Sequence, residues 1–433
     1  MSQHQHDTAA LAEPQPVQHV ARRAAVLMFL AFAFAYFLSA LIRAVAATLA
    51  PLLTQELNLM ASDLGLLAGG YFLGFSLTQL PLGAWLDRYG PRAVSLAFLS
   101  TAVAGCAAFA VASGFHALLA ARVLCGAGVS ACLMAPLTAY RRWYPESVQM
   151  RASSWMLMTG SMGMLASTLP VQWVLPLVGW RGLFWLLAVA VLVAMAGIAF
   201  CVPRWPEAPM AGARVDAIST SAVRPGYGAV WGHPYFRRIL PMGFFVYGGM
   251  VAFQTLWAGP WMVRVAGYTP VESATGLFWI NLCMLITYAT WGAVAGRVAR
   301  RREDANRLMQ WGLPIAIVPF AIFCIAGDGV NSAVVPLFAA FFMGCSFVSL
   351  SQAALGLAFP LALAGRALSA YNLAIFAGVF VVQWGVGLAV DLFAAAGATG
   401  ALPYQLAFGV YGLTFIASYL WFVLYRGDNP AAP

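Results

Sequence analysis

The feature that most constrains this chain is its succession of long, continuously apolar runs separated by short polar breaks. A hydrocarbon core of about 30 Å needs roughly 20 apolar residues per spanning helix. That ruler predicts twelve segments, near 24–53, 61–84, 93–113, 117–140, 152–176, 181–202, 238–263, 270–298, 307–326, 332–358, 367–391 and 403–425. The runs lack the two-residue alternation of barrel strands, so spanning helices are predicted and the fold class is an all-α membrane protein. Composition agrees: 62% of the 433 residues are hydrophobic and 9% are charged, against about 25% charged in soluble domains. No stretch is polar enough to build a basic patch for nucleic acid. The first run follows 23 mostly polar residues and contains Arg43. It is too long for the roughly 7–15-residue apolar region of a cleaved signal peptide.

The charge is lopsided, with 23 basic residues against 14 acidic ones, and every basic residue is Arg. With residues 1–23 on the cytoplasmic side, alternate loops put 19 arginines inside and two, Arg181 and Arg264, outside. This is the positive-inside asymmetry, and it predicts both termini in the cytoplasm of a bacterial inner-membrane protein. Arg43 and Arg122 remain within the membrane. The expected organisation is a disordered tail at 1–23, a six-helix bundle at 24–202, a cytoplasmic linker at 203–237, a second bundle at 238–425 and a tail at 426–433. The bundles repeat. An offset of 209 carries Pro51 onto Pro260, Asp63 onto Glu272, Gly83 onto Gly292, Arg88 onto Arg297 and Arg92 onto Arg301.

Gly83-Ala-Trp-Leu-Asp87-Arg88-Tyr-Gly90-Pro-Arg92 follows the second run. Glycines there allow a tight turn, and an Asp beside interfacial arginines can latch helix ends. The segment resembles the loop signature of the major facilitator superfamily, with Trp85 and Pro91 as departures. That resemblance covers residues 24–425 and implies two pseudo-symmetric six-helix bundles with a midplane site between them. It also implies a gating role for Gly83, Asp87, Arg88, Gly90 and Arg92. The second copy has Gly296 in place of Asp87, so the latch is asymmetric. Arg122-x-x-x-Gly126-x-Gly128 in the fourth helix resembles another family pattern, in which the Arg is buried and the glycines permit close helix approach.

A guanidinium in a spanning helix costs several kcal/mol and marks a functional site by default. Arg43 lies eight residues, about 12 Å of helix, before Pro51; snorkelling toward the interface is the competing reading. Arg43, Pro51 and Asp63-Leu64-Gly65 resemble the first two helices of organophosphate antiporters and related organic-anion carriers, where this Arg holds the substrate's anionic group. A planar guanidinium suits a carboxylate or phosphate. Two departures matter. Val251 and Ala252 stand where those antiporters have a second Arg, and Gln79 stands in place of their Lys. One cation fits a singly charged organic anion better than a phosphate.

Other polar side chains gather in the helices that the resemblance turns toward the cavity: Tyr36, Gln79, Gln254, Asn281, Tyr288, Gln352, Asn372 and Gln383, with Trp257 as a wall. Each has helix–helix hydrogen bonding as its alternative. All 14 acids fall in tails, loops or helix ends, so a proton relay is left with interfacial groups such as Asp63 or Asp391, or the substrate itself. The seven cysteines, all in apolar runs, show no metal-ligand spacing, and no metal or cofactor is expected.

Together these readings predict a monomeric secondary transporter, not an enzyme. It moves a small organic anion, a carboxylate by preference, by alternating access in uptake or anion exchange, with a counter-ion or proton as possible partner. The alternative is a proton-coupled drug exporter, favoured by the Arg122 pattern and opposed by Arg43. A ligand-binding sensor of the same fold is the third reading.

Overall fold

The computed structural model describes residues 20–204, 227–299 and 301–425. Most of the 1–23 tail, most of the 203–237 linker, Arg300 and the 426–433 tail with Arg426 therefore lie outside the described residues. Ten helices are long and apolar enough to cross a membrane, yet the described residues make twelve passes. The difference lies at two glycines. Gln79–Val111 and Leu169–Cys201 each reverse at a left-handed residue, Gly90 with φ 76° and Gly179 with φ 66°, a conformation in which glycine carries no Cβ penalty. Each of these helices thus holds the end of one pass and the whole of the next.

We number the passes α1 (Arg22–Leu57), α2 (61–89), α3 (91–111), α4 (Phe115–Trp143), α5 (146–178), α6 (180–201), α7 (Pro234–Arg264), α8 (Pro270–Val298), α9 (Arg302–Ala326), α10 (Val334–Ala358), α11 (Leu361–Ala395) and α12 (Leu402–Leu424). They match the twelve predicted runs, extended by a turn or more at many ends. The largest shifts are at α5 and α11, which start at 146 rather than 152 and at Leu361 rather than 367; α7 starts at Pro234 rather than 238, with His233 as N-cap accepting from the Tyr235 amide at 3.2 Å. Residues 22, 204, 234 and 425 share one face, called here the terminal end. Residues 57–61 and 264–270 mark the distal end.

The 209-residue repeat has a structural cause. Asp63 and Glu272 sit at the third position of α2 and α8, where each carboxylate accepts the amide just before its helix. Asp63 takes Met60 N–H at 3.1 Å and Glu272 takes Thr269 N–H at 2.8 Å. Both satisfy an amide that the helix start leaves without a partner.

The distal end is sealed between bundles, chiefly by α2 on α11. A Cβ on Gly65 would overlap the Gln383 carbonyl, and one on Gly387 would overlap that of Ala61, so glycine is what lets the backbones meet there. Asp391 closes the seam, its two oxygens accepting the Ala61 and Ser62 amides of α2 at 3.1 and 2.8 Å. At the terminal end Gly83, Gly292, Gly356 and Gly365 face open space. The closure between bundles that the Gly65, Gly387 and Asp391 contacts build lies at the distal end.

Candidate functional site

Arg43 projects from the middle of α1 into the seam between the bundles. Its electrostatic neighbours are Tyr36 of α1, Tyr71 of α2 and Tyr247 of α7, with the Tyr36 hydroxyl in hydrogen-bonding range. Tyr288 of α8 faces it as well. Four phenols from four helices, two from each bundle, thus surround one guanidinium. Among the described residues no carboxylate pairs with Arg43, and its buried Nε has no hydrogen-bond partner. Phenol donors beside an uncompensated cation are suited to an anionic group.

Local sequence builds each wall. Gly160 of α5 leaves the space that the Tyr36 ring fills, since a Cβ there would run into it. Tyr71 donates its hydroxyl to the Ser39 carbonyl at 3.3 Å. Tyr247 ends a π-helical turn, Met242–Tyr247, and a second such turn covers Phe253–Trp257. These wider turns re-aim the α7 side chains away from the α-helical register, and π-turns recur at functional sites. Tyr71 and Tyr247 were not predicted. Both adjoin glycine pairs, Gly69-Gly70-Tyr71 and Tyr247-Gly248-Gly249, which is the sequence signal that could have found them.

Arg122 is 2% exposed. Its Nη1 donates to the Ile42 carbonyl at 3.0 Å, its guanidinium lies 5.4 Å from the centre of the Tyr71 ring, and Nη2 has no partner. It ties α4 to the α1 turn that carries Arg43. Gly126 and Gly128 allow the approach, because a Cβ at either would overlap the backbone of Tyr71 or Ala102.

The amides are spent elsewhere. Gln254 donates to Asn281 at 2.9 Å, Asn281 to the Leu277 carbonyl at 3.0 Å, Gln383 to Thr255 at 3.0 Å and Gln352 to Asn372 at 3.0 Å. Gln79 donates weakly to its own helix at Phe75, 3.4 Å away. Trp257 is fully buried and donates to the Gln383 carbonyl at 3.1 Å, inside the distal closure. Of the residues singled out in the sequence, Tyr36, Arg43 and Tyr288 come together; Gln79 bonds to its own helix, and the other amides find partners within the second bundle. Gln383 Oε1 alone stays buried without a partner.

In the loop segment Asp87 and Arg88 are exposed, and Arg88 lies 5.2 Å from the centre of the Tyr89 ring. Asp87 makes no ion pair among the described residues, and Gly90 supplies the reversal into α3.

The family model described as Major Facilitator Superfamily matches residues 32–383. The chain is similar to the 4-hydroxybenzoate transporter PcaK of Pseudomonas aeruginosa, 27% identical over 197 residues, 46% of this chain and 43% of that protein. It is similar to Multidrug resistance protein D of Escherichia coli, 28% identical over 58% of this chain and 60% of that one. The hexuronate transporter of Escherichia coli is 27% identical over 37% of each. The chain spans about half the length of the curated relatives it matches. A D-xylose-proton symporter superposes with TM-score 0.74 at 15% identity, over 93% of this chain and 99% of that one. A bacterial homologue of the human lysosomal transporter Spinster, inward-facing and unoccupied, superposes with TM-score 0.73 at 14% identity, over 94% and 98%. At such identity both establish the fold alone.

Proposed function

The chain belongs to the major facilitator superfamily, and from that premise we propose that this multi-pass transporter carries a small organic monoanion, a carboxylate, by alternating access. Arg43 holds the anionic group; Tyr36, Tyr247 and Tyr288 supply hydroxyls around it, and Tyr71, its hydroxyl donated to Ser39, serves as a wall. The observation that carries this reading is the uncompensated guanidinium at the bundle seam, among phenols and without a carboxylate. A substrate carboxylate supplies the missing negative charge. The transporters of 4-hydroxybenzoate and hexuronate among the relatives support an organic anion. The membrane is the bacterial inner membrane and the terminal end is cytoplasmic, because the arginines crowd that end.

Similarity to Multidrug resistance protein D favours the second reading, export of lipophilic compounds. A thermal-shift screen of the purified protein against benzoates, phosphates and lipophilic cations separates the two, since a ligand stabilises the state it binds. Carboxylates are expected to stabilise the wild type, and Arg43→Gln to abolish the effect. Stabilisation by lipophilic cations alone, or unchanged carboxylate affinity in Arg43→Gln, overturns the anion reading.

A further inference from the structure

A second cavity lies on the distal face, directly over the sealed seam. It encloses about 360 Å³ and is walled by both bundles, with Pro51 and Met60 on one side and Pro260, Arg264, Asp391 and Tyr404 on the other. Pro51 and Pro260 are the pair related by the 209-residue repeat, so the cavity sits on the pseudo-two-fold axis on which the deep site is expected. Its size falls at the lower end of ordinary small-ligand pockets. Its floor is the distal closure: Gly259 of α7 packs on the Ala47 carbonyl of α1, and Trp257 is tied to Gln383. Pro51 stands about 12 Å along α1 from Arg43.

Only two charged side chains line this space, and they are in different states. Asp391 is engaged, both oxygens accepting amides at the α2 N-terminus, where the helix dipole offsets its charge. Arg264, at the C-terminus of α7, is exposed and forms no hydrogen bond or ion pair among the described residues. The other distal arginine is committed: Arg181 pairs with Glu56 at 2.6 Å and lies 4.0 Å from the centre of the Trp180 ring. Tyr404 interacts electrostatically with Arg264 and is largely buried. A free guanidinium, a phenol and proline walls repeat, near the surface, the chemistry around Arg43.

We propose that Arg264, with Tyr404, forms an outer binding subsite for an organic monocarboxylate, which the anion occupies before the seam opens and it passes to Arg43. The carboxylate lies against the guanidinium, and the apolar body between Pro51, Pro260 and Met60. This rests on the anion reading above for its substrate class, but on different residues. A cation at a cavity mouth raises the local concentration of anions and their capture rate, so the subsite acts on entry from the distal face alone.

The test uses the full-length protein crystallised with 4-bromobenzoate, and the same protein in oriented proteoliposomes. A bromine anomalous peak is expected beside Arg264 in the wild type and in Arg43→Gln, and its loss in Arg264→Gln. In transport of the same probe, Arg264→Gln should raise KM by about tenfold from the distal face, leaving the opposite direction and the kcat unchanged. A peak at Arg43 without one at Arg264 overturns the subsite and leaves the deep site standing. A peak at Arg264 without one at Arg43 overturns the deep site instead. An Arg264 peak with no change in directional KM is binding at crystal concentration only and also overturns the proposal. Absence of both peaks overturns both for aryl carboxylates.

Discussion

At the scale of single residues, the buried charge of Arg43 was readable and its surroundings only in part, through Tyr36 and Tyr288. Arg43 stands out because an ionised group inside an apolar run has no inconspicuous explanation. Tyr71 and Tyr247 do not, because tyrosine in a spanning helix reads as packing until its hydroxyl is placed. Tyr247 is further hidden by the π-turn at Met242–Tyr247, since a face assigned with 3.6 residues per turn points it elsewhere. The amides err the other way: Gln254, Asn281, Gln352 and Asn372 read as cavity-facing, yet they satisfy one another. With Tyr71 donating to Ser39 and Tyr288 directed at Met250, the Tyr36 and Tyr247 hydroxyls remain the donors available to an anion, which gives a prediction. Tyr247→Phe removes one hydrogen bond to a charged group, a loss of about 1.5–3 kcal/mol. Benzoate affinity should therefore fall by roughly tenfold or more, while thermal stability without ligand stays near wild type. Calorimetric titration of both proteins checks this; equal affinities remove Tyr247 from the site.

At the scale of elements, hydropathy located all twelve passes but could not show how they end or meet. Hydropathy marks a break around Gly90 and Gly179 but not that each reversal turns on a single left-handed residue. The Asp63 and Glu272 caps were visible only as a repeated carboxylate, and Asp391 only as an acid at a helix end. In space Asp391 bridges the bundles, because α11 ends where α2 begins and the two exposed α2 amides need acceptors. The carboxylate therefore stabilises the distally closed state and contributes nothing once the bundles part. Asp391→Asn keeps the shape but removes the charge and one acceptor. Loss of about 2 kcal/mol from the closed state moves the open-to-closed ratio by roughly thirtyfold. Spin labels at the exposed Leu52 and Leu402, on opposite bundles near the distal end, should report a larger fraction of long distances in Asp391→Asn. An unchanged distribution means the carboxylate does not hold the gate.

At the scale of the whole molecule, the balance of charge bears on coupling. The arginines at the terminal end and the apolar helices account for insertion, and neither supplies a proton site within the membrane. Asp63, Glu272 and Asp391 are taken up by helix amides, and Glu56 by Arg181 and Trp180. Arg43 is left with phenols alone. An empty carrier must move an uncompensated guanidinium through the low-dielectric seam when its bundles rock, whereas a carrier holding a carboxylate moves a neutral pair. Charge in low dielectric is costly, so reorientation should be slower empty than loaded, and exchange faster than net flux. In proteoliposomes at one pH, internal 4-hydroxybenzoate should stimulate uptake of external labelled 4-hydroxybenzoate by about tenfold, equal to roughly 1.4 kcal/mol in the barrier. Collapsing a proton gradient should leave that exchange unchanged. Equal uptake with empty and loaded vesicles, together with acceleration by an acid exterior, would mean that a proton rather than substrate resets the carrier. The groups to test next would then be the distal carboxylates, beginning with Asp391, whose release from the α2 amides accompanies opening.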